Sequence, residues 1–142
     1  MTFYDHLIKN TELIKFFKCK NLNDSNIISI LLVETYYRPL YFRLFEYLYW
    51  IITGNKNITV GLAQIKISYI KQLQNLCWLE RLKFIANLES YIQNYILIKQ
   101  YIDTNPNLKN DLDICKYYNG KNVNKSYIFN FKYAKLYINS LL

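Results

Sequence analysis

The feature that most constrains this chain is an almost unbroken apolar segment, residues 27–33, in which six of the seven residues are isoleucine, leucine or valine. Asp24 or Ser25 can cap a helix over 26–34. A proline disfavours the helical conformation in the residue before it, so the helix is expected to end shortly before Pro39. A helix that is apolar on every side must be surrounded by other elements. The segment is too short to span a bilayer, which needs about 18 apolar residues. It therefore predicts a central helix in a helical domain.

Length and composition favour one mainly α domain over residues 1–142. The chain is 52% hydrophobic, which is enough for a core and excludes a disordered protein. Only three glycines and two prolines are present, too few for the turns of a many-stranded β fold. At most a very short β element is expected, near residues 57–60.

Apolar spacing and helix-breaking residues predict the remaining elements. A turn at 53–57 leads into an extended piece at 58–60, and Gly61 precedes a further helix. Breaks are expected at 103–106 and 118–122, and the final helix is expected to expose Lys132 and Lys135. The predicted helices other than the central one cover residues 3–18, 40–52, 62–73, 77–101, a segment between the two breaks, and 125–141.

The net charge of +8 favours a polyanionic partner, such as nucleic acid, an anionic membrane face or an acidic wall polymer. A bias towards lysine and asparagine without functional meaning explains the charge equally well.

Cys19, Cys77 and Cys115 are widely separated, and His6 is the only histidine. This is too few ligands for a Cys/His zinc site, so no metal and no cofactor is expected. The first residues show no signal peptide, which predicts synthesis in the cytoplasm.

Three polar positions stand out. Glu34 follows the apolar segment at a helix end, where burial and the helix dipole raise a carboxyl pKa, as a general acid requires. The alternative is a helix-end glutamate that points to water or pairs with Arg38. Gln64 lies three residues after Gly61, whose backbone can approach a ligand, and the Gln64 amide can bind an amide-bearing substrate. By itself, a glycine followed three residues later by a glutamine more often has no functional meaning. The segment 118–120, Tyr-Asn-Gly, is by itself most typical of a helix cap.

Taken together and in order, these segments resemble the lytic transglycosylases and goose-type lysozymes of the lysozyme-like superfamily. Residues 33–39, Val-Glu-Thr-Tyr-Tyr-Arg-Pro, resemble the motif that carries their catalytic acid. Residues 61–65, Gly-Leu-Ala-Gln-Ile, resemble their glycine–leucine–methionine–glutamine–isoleucine motif. Residues 118–120, with Tyr127 downstream, resemble their tyrosine–asparagine–glycine motif and the tyrosine that follows it. The resemblance spans residues 27–137.

The resemblance implies a lysozyme-like helical domain that cleaves the glycosidic bond between the two sugars of peptidoglycan. Glu34 becomes the sole catalytic acid and base, and Gln64 a contact to the sugar's N-acetyl group. The resemblance implies that Tyr118 and Asn119 orient Glu34 and the substrate. It also implies that Tyr127 belongs to the substrate-binding site. Thr35 replaces the family's serine and retains a hydroxyl for hydrogen bonding.

The residues around Glu34 bear on the type of reaction. Glycosidases with two carboxylates place the second about 5–9 Å from the acid. Asn55 and Asn57 stand where lysozyme-like enzymes have that group, and Glu46 is expected to pair with Arg43 or Arg38. A lone glutamate favours a lytic transglycosylase, although hydrolysis through a held water stays open.

The spacing from Glu34 to Gly61 is long for the family. The extra aromatic segment 40–52 offers rings that either stack on sugars or belong to the core, among them Tyr41, Tyr49 and Trp50.

The expected partner is therefore the glycan strand of peptidoglycan, and the expected oligomeric state is a monomer. Without a leader, the protein would reach the cell wall through a secretion apparatus, a phage lysis system or a conjugation machine, and an immunity protein is a further candidate partner. Two readings compete with the enzyme. One is a basic helical domain that binds nucleic acid, which the scattered lysines do not favour. The other is a partner-binding protein that keeps the fold and lacks the activity.

Overall fold

The computed structural model describes residues 1–141 and has a mainly α architecture, as the sequence predicts. This part of the chain forms eight α-helices and one two-stranded antiparallel sheet, and two single-turn 3-10 helices follow the sheet, at Ile67–Tyr69 and Lys71–Leu73. The elements are α1 (Phe3–Lys9), α2 (Thr11–Cys19), α3 (Ser25–Tyr37), α4 (Leu40–Thr53), β1 (Thr59–Val60), β2 (Ile65–Lys66), α5 (Trp78–Leu88), α6 (Tyr91–Asp103), α7 (Asp111–Asn119) and α8 (Lys125–Leu141). Each helix within residues 1–141 is too short or too polar to cross a bilayer.

Helix α3 occupies the centre of the domain, which confirms the prediction from the apolar segment. Every residue from Ile27 to Thr35 is buried, and α8 packs along the helix while α1 and α6 flank it. The Asp24 side chain accepts hydrogen bonds from the backbone N–H groups of Asn26 and Ile27, and so caps the helix as expected. The helix continues one turn past the predicted end at Glu34, and stops at Arg38, directly before Pro39. Glu34 is consequently held within the last turn of a rigid core helix.

Two predicted helices are each divided into two. The segment 3–18 breaks at Asn10, whose side chain donates a hydrogen bond to the His6 carbonyl at 2.8 Å. The segment 77–101 breaks at Glu89 and Ser90, and the Ser90 hydroxyl accepts a hydrogen bond from the Gln93 N–H at the start of α6. Both breaks occur at polar residues whose side chains form hydrogen bonds with free backbone groups. These hydrogen bonds compete with continuation of the helix, and the spacing of apolar residues gives no sign of them. The helices predicted at 40–52 and 125–141 are present.

The predicted helix over 62–73 is wrong. Strand β2 pairs with β1 in this region, with Val60 opposite Ile65, and the two 3-10 helices follow. Gly61 and Gln64 both adopt a left-handed backbone, with φ values of 80° and 51°. At Gly61 a Cβ atom would lie 2.9 Å from the Leu88 carbonyl oxygen, so the turn requires glycine here. The extended piece predicted at 58–60 is therefore one half of a hairpin.

The basic surface differs from the expectation for α8. Lys132 is exposed, but Lys135 is half-buried and forms an ion pair with Asp111 of α7 at 2.8 Å. The lysine face predicted for this helix is therefore partly neutralised by its neighbour. All three cysteines are free thiols, with Cys115 buried between helices and Cys19 and Cys77 exposed.

Candidate active site

A cavity of about 520 Å³ opens beside the C-terminal turn of α3. The hairpin, α6, α7 and the start of α8 complete its wall. Five of the six residues singled out from the sequence line this cavity: Glu34, Gln64, Tyr118, Asn119 and Tyr127. They come from segments far apart in the chain, and the fold brings them to one place. Arg38 and Lys66 add two positive charges to the same wall.

Glu34 is the buried acid of the cavity, with 6% of its surface exposed. The Tyr127 hydroxyl donates a hydrogen bond to Glu34 Oε1 at 2.7 Å. Burial raises the pKa of Glu34 to about 7, although the Tyr127 hydroxyl, the Arg38 charge and the Asn119 amide each act to lower it. The sequence predicts a raised pKa at this position, and the structure agrees. A carboxyl that is protonated near neutral pH can donate a proton to a leaving group.

Gln64 is fixed by three hydrogen bonds. Its Oε1 accepts from the Thr59 hydroxyl at 2.8 Å, and its Nε2 donates to the Gly61 carbonyl at 3.0 Å and to Glu46 Oε2 at 2.8 Å. Both amide protons are therefore in use, and the remaining lone pair of Oε1 is the part free to accept from a ligand. The left-handed backbone of Gln64 is held by these contacts.

Glu46 connects this amide to the end of α3. The carboxylate pairs with Arg38 at 3.3 Å, one of the two partners that the sequence offers. Arg43, the other candidate, pairs instead with Glu89 at 3.0 Å and donates a hydrogen bond to the Arg38 carbonyl. Glu46 lies outside the cavity wall, where it holds Gln64 and Arg38 in place, and its negative charge also acts to raise the pKa of Glu34.

Tyr118 and Asn119 approach the cavity from the end of α7. The Tyr118 hydroxyl donates a hydrogen bond to the Ala63 carbonyl, so this residue ties α7 to the hairpin turn while its ring lines the cavity. Burial raises the pKa of Tyr118 well above its usual value, so the phenol stays protonated as a donor. Asn119 is close enough to Glu34 to influence its pKa, in the place where the sequence predicts an orienting residue.

Asn94 is a supporting residue that sequence reasoning missed. Its Oδ1 accepts from the Ala63 N–H at 2.9 Å, and its Nδ2 donates to the carbonyls of Leu88 and Ser90 at 2.8 and 2.7 Å. The side chain is 1% exposed. It therefore connects the hairpin turn to the α5–α6 junction. The one signal in the sequence for Asn94 is its place four residues after the helix-capping Ser90. Nothing in the neighbouring residues indicates that it binds the hairpin turn.

Replacing Asn94 with alanine is expected to lower the free energy of unfolding by about 3 kcal/mol, because it leaves the buried Ala63 N–H without a partner. Urea denaturation followed by circular dichroism measures this change. Asn87→Ala is the matched control, since Asn87 is exposed on α5, and it is expected to shift stability by less than about 0.5 kcal/mol. Equal effects of the two substitutions would contradict the bridging role of Asn94.

Thr35 is the one predicted site residue that the fold places elsewhere. Its hydroxyl donates to the Leu32 carbonyl at 3.1 Å and lies 3.1 Å from His6 Nε2. It points towards α1 and does not line the cavity. The reason is helical geometry, because consecutive residues of α3 are rotated by about 100° and cannot both face the cleft.

The aromatic side chains of the cavity are different from those expected. Trp50 is 1% exposed and belongs to the core, whereas Tyr41 and Tyr49 are exposed on α4 and lie outside the cavity wall. Four other tyrosines line the cavity: Tyr37, Tyr69, Tyr101 and Tyr117. The rings of Tyr101 and Tyr117 stack with centroids 5.0 Å apart, and Tyr69 lies 5.5 Å from Tyr101. Only Tyr37 had a sequence signal, because it lies three residues after Glu34 on the same helix.

Glu34 is the one carboxylate in the cavity wall formed by residues 1–141. Asn55 and Asn57, which occupy the expected place of a second acid, form a local turn in which the Asn55 side chain accepts from the Asn57 N–H at 2.9 Å. Neither residue reaches the cavity. Glu34 can therefore donate a proton in its protonated form and then accept one as a carboxylate.

Comparisons of the chain with protein-family models, with curated proteins and with solved structures find no match.

Proposed function

We propose that this protein is a lysozyme-like muramidase that cleaves the β-1,4 bond between N-acetylmuramic acid and N-acetylglucosamine in peptidoglycan, as a lytic transglycosylase. The observation that carries the proposal is Glu34 itself, a buried acid with a pKa near 7 and the one carboxylate that lines the cavity among residues 1–141. Most glycosidases that use water or a covalent intermediate have two carboxyl groups at the cleaved bond. A reaction that ends by internal ring closure needs one.

In the proposed reaction, protonated Glu34 donates its proton to the bridging oxygen, and the bond from that oxygen to C1 of the muramic acid breaks. The carbonyl oxygen of the substrate's own N-acetyl group stabilises the positive charge that develops at C1. The C6 hydroxyl of the same sugar then attacks C1, and the Glu34 carboxylate accepts the hydroxyl proton. The glutamate is protonated again, and the product is a 1,6-anhydro sugar, so no water is consumed.

The cavity wall supplies groups suited to this substrate. Arg38 and Lys66 can attract the carboxylates of muropeptides. The tyrosine rings of the wall, Tyr69, Tyr101 and Tyr117, present flat surfaces against which sugar rings can pack. Gln64 can accept a hydrogen bond from the N-acetyl N–H through the free lone pair of Oε1. The proposed place of action is the bacterial cell wall.

The pH dependence of cleavage tests this proposal. Release of soluble fragments from purified peptidoglycan should fall as the pH rises through about 7, by about tenfold per pH unit at higher pH, because Glu34 loses its proton. Tyr127→Phe removes a hydrogen bond that lowers the Glu34 pKa, so this fall should begin at a higher pH than in the wild type.

Tyr133→Phe on the exposed side of α8 is the matched control and should leave the profile unchanged. A rate that stays constant from pH 6 to pH 9 is incompatible with Glu34 as the acid. So is a Tyr127→Phe profile that moves to lower pH.

A further inference from the structure

The outward surface of α4 is apolar along its whole length. Eight of its fourteen residues are large hydrophobic side chains more than one third exposed: Leu40, Tyr41, Phe42, Leu44, Phe45, Leu48, Tyr49 and Ile52. The charged residues of the helix are Arg43, which is buried, and Glu46, which is half-buried, and each pairs with an oppositely charged side chain. No charge of α4 therefore faces outwards, which is unusual for an exposed helix.

Helix α5 packs beside α4 and also carries exposed apolar side chains. The two helices lie antiparallel, since Arg81 near the start of α5 donates to the Trp50 and Ile51 carbonyls, and Glu89 just past its end pairs with Arg43. Three exposed apolar side chains of α5 are Trp78, Leu79 and Leu82. We call the combined surface the α4/α5 face, formed by Tyr41, Leu44, Phe45, Leu48, Ile52, Trp78, Leu79 and Leu82.

The segments that carry the α4/α5 face have an excess of positive charge. Residues 38–56 and 78–89 contain five lysines and arginines against three carboxylates, in a protein of net charge +8. The ion pairs Arg38–Glu46 and Arg43–Glu89 neutralise four of these groups, which leaves Lys56, Arg81 and Lys83 against Glu80. Lys56, just beyond the C-terminal end of α4, and Lys83 on α5 are exposed. The surroundings of this apolar face therefore favour an anionic partner.

We propose that the α4/α5 face docks on an anionic phospholipid surface, with α4 lying in the plane of the membrane. At 14 residues, α4 is about 21 Å long, shorter than the hydrocarbon core of a bilayer, so it would lie in the interface. Exposed Trp, Tyr and Phe side chains beside lysine and arginine are typical of helices that bind there. The inference stands on this surface alone and does not depend on the proposed enzymatic activity.

Vesicle flotation with the full chain tests the docking. The wild type should float with vesicles of equimolar phosphatidylglycerol and phosphatidylcholine, and bind vesicles of phosphatidylcholine alone more weakly. Phe45→Ser/Ile52→Ser removes side chains that are 70% and 72% exposed, so folding should survive. The partition coefficient should fall by about tenfold per side chain. Phe129→Ser/Leu136→Ser is the matched control on α8, where these side chains are 67% and 69% exposed, and it should bind like the wild type.

Tryptophan emission gives a second readout, because Trp78 is exposed on the face and Trp50 is buried. A blue shift on the anionic vesicles, lost in Trp78→Phe, supports insertion of this face. Absence of vesicle binding overturns the proposal, and so does equal binding by both double variants. If sedimentation velocity finds a dimer that Phe45→Ser/Ile52→Ser dissociates, and lipid binding is absent, the occupant of the face is a second copy of the chain.

Discussion

Glu34→Gln is expected to lower the rate of peptidoglycan cleavage by about a thousandfold, the contribution typical of a positioned acid and base. Glutamine has the shape of the protonated acid, and its side-chain oxygen can still accept the hydrogen bond from Tyr127. It cannot donate a proton to the bridging oxygen or take one from the C6 hydroxyl. The measurement is the initial rate of fragment release from purified peptidoglycan, compared with the wild type at pH 6.

The neighbouring carboxylate provides the contrast for this experiment. Glu46→Gln should retain measurable cleavage, because its side chain lies outside the cavity wall and acts through Gln64 and Arg38. Glu12→Gln is the control for the substitution itself, since that side chain is 84% exposed on α2. If Glu46→Gln loses as much activity as Glu34→Gln, two carboxylates take part and the single-acid account is wrong.

The same Glu34→Gln substitution is expected to stabilise the folded protein at pH 8. The pKa of Glu34 is about 7 in the fold and about 4.5 for an unperturbed glutamate, so the folded state holds the proton more tightly. Stability from this group is full below pH 4.5, falls as the pH rises from 4.5 to about 7, and is then constant. The loss amounts to about 3 kcal/mol, and glutamine does not incur it.

Urea denaturation of both proteins from pH 4 to pH 8 measures this linkage. The stability gain of Glu34→Gln over the wild type should grow with pH across that range, while Glu12→Gln should match the wild type throughout. A gain that does not change with pH would show that Glu34 does not titrate as a buried acid. Together with the loss of cleavage, a pH-dependent gain would identify Glu34 as a residue that serves chemistry at the expense of stability.

The centre of the fold could be predicted because its signal is local. The apolar run of α3, its Asp24 cap and the stop before Pro39 lie within sixteen residues, and they determine both the helix and the burial of Glu34. Burial of a carboxyl then sets the direction of its pKa shift without further information. The three motifs, compared in order, also predicted five residues that the structure gathers in one cavity.

The hairpin was missed because a helical period was assumed after Gly61. The sequence does carry the alternative signal, since Ile65 and Ile67 alternate with the polar residues Lys66 and Ser68, which is the period of a strand. The structure follows this period only as far as Lys66, where β2 ends and a 3-10 helix begins. The pinning of the turn by Asn94 and Tyr118 is long-range and has no local signature. The stacking of Tyr101 on Tyr117 depends in the same way on how α6 and α7 pack together, which no single segment of the sequence indicates.

The most direct test of the single-acid transglycosylase is mass spectrometry of the products released from purified peptidoglycan by the wild type and Glu34→Gln. The account predicts 1,6-anhydro muropeptides from the wild type and none from the variant. Products with reducing ends from the wild type would mean that water is the nucleophile, which contradicts the proposed ring closure. Release of no fragments from several wall types would contradict the enzymatic function itself, and would favour a helical domain that binds nucleic acid or a protein partner.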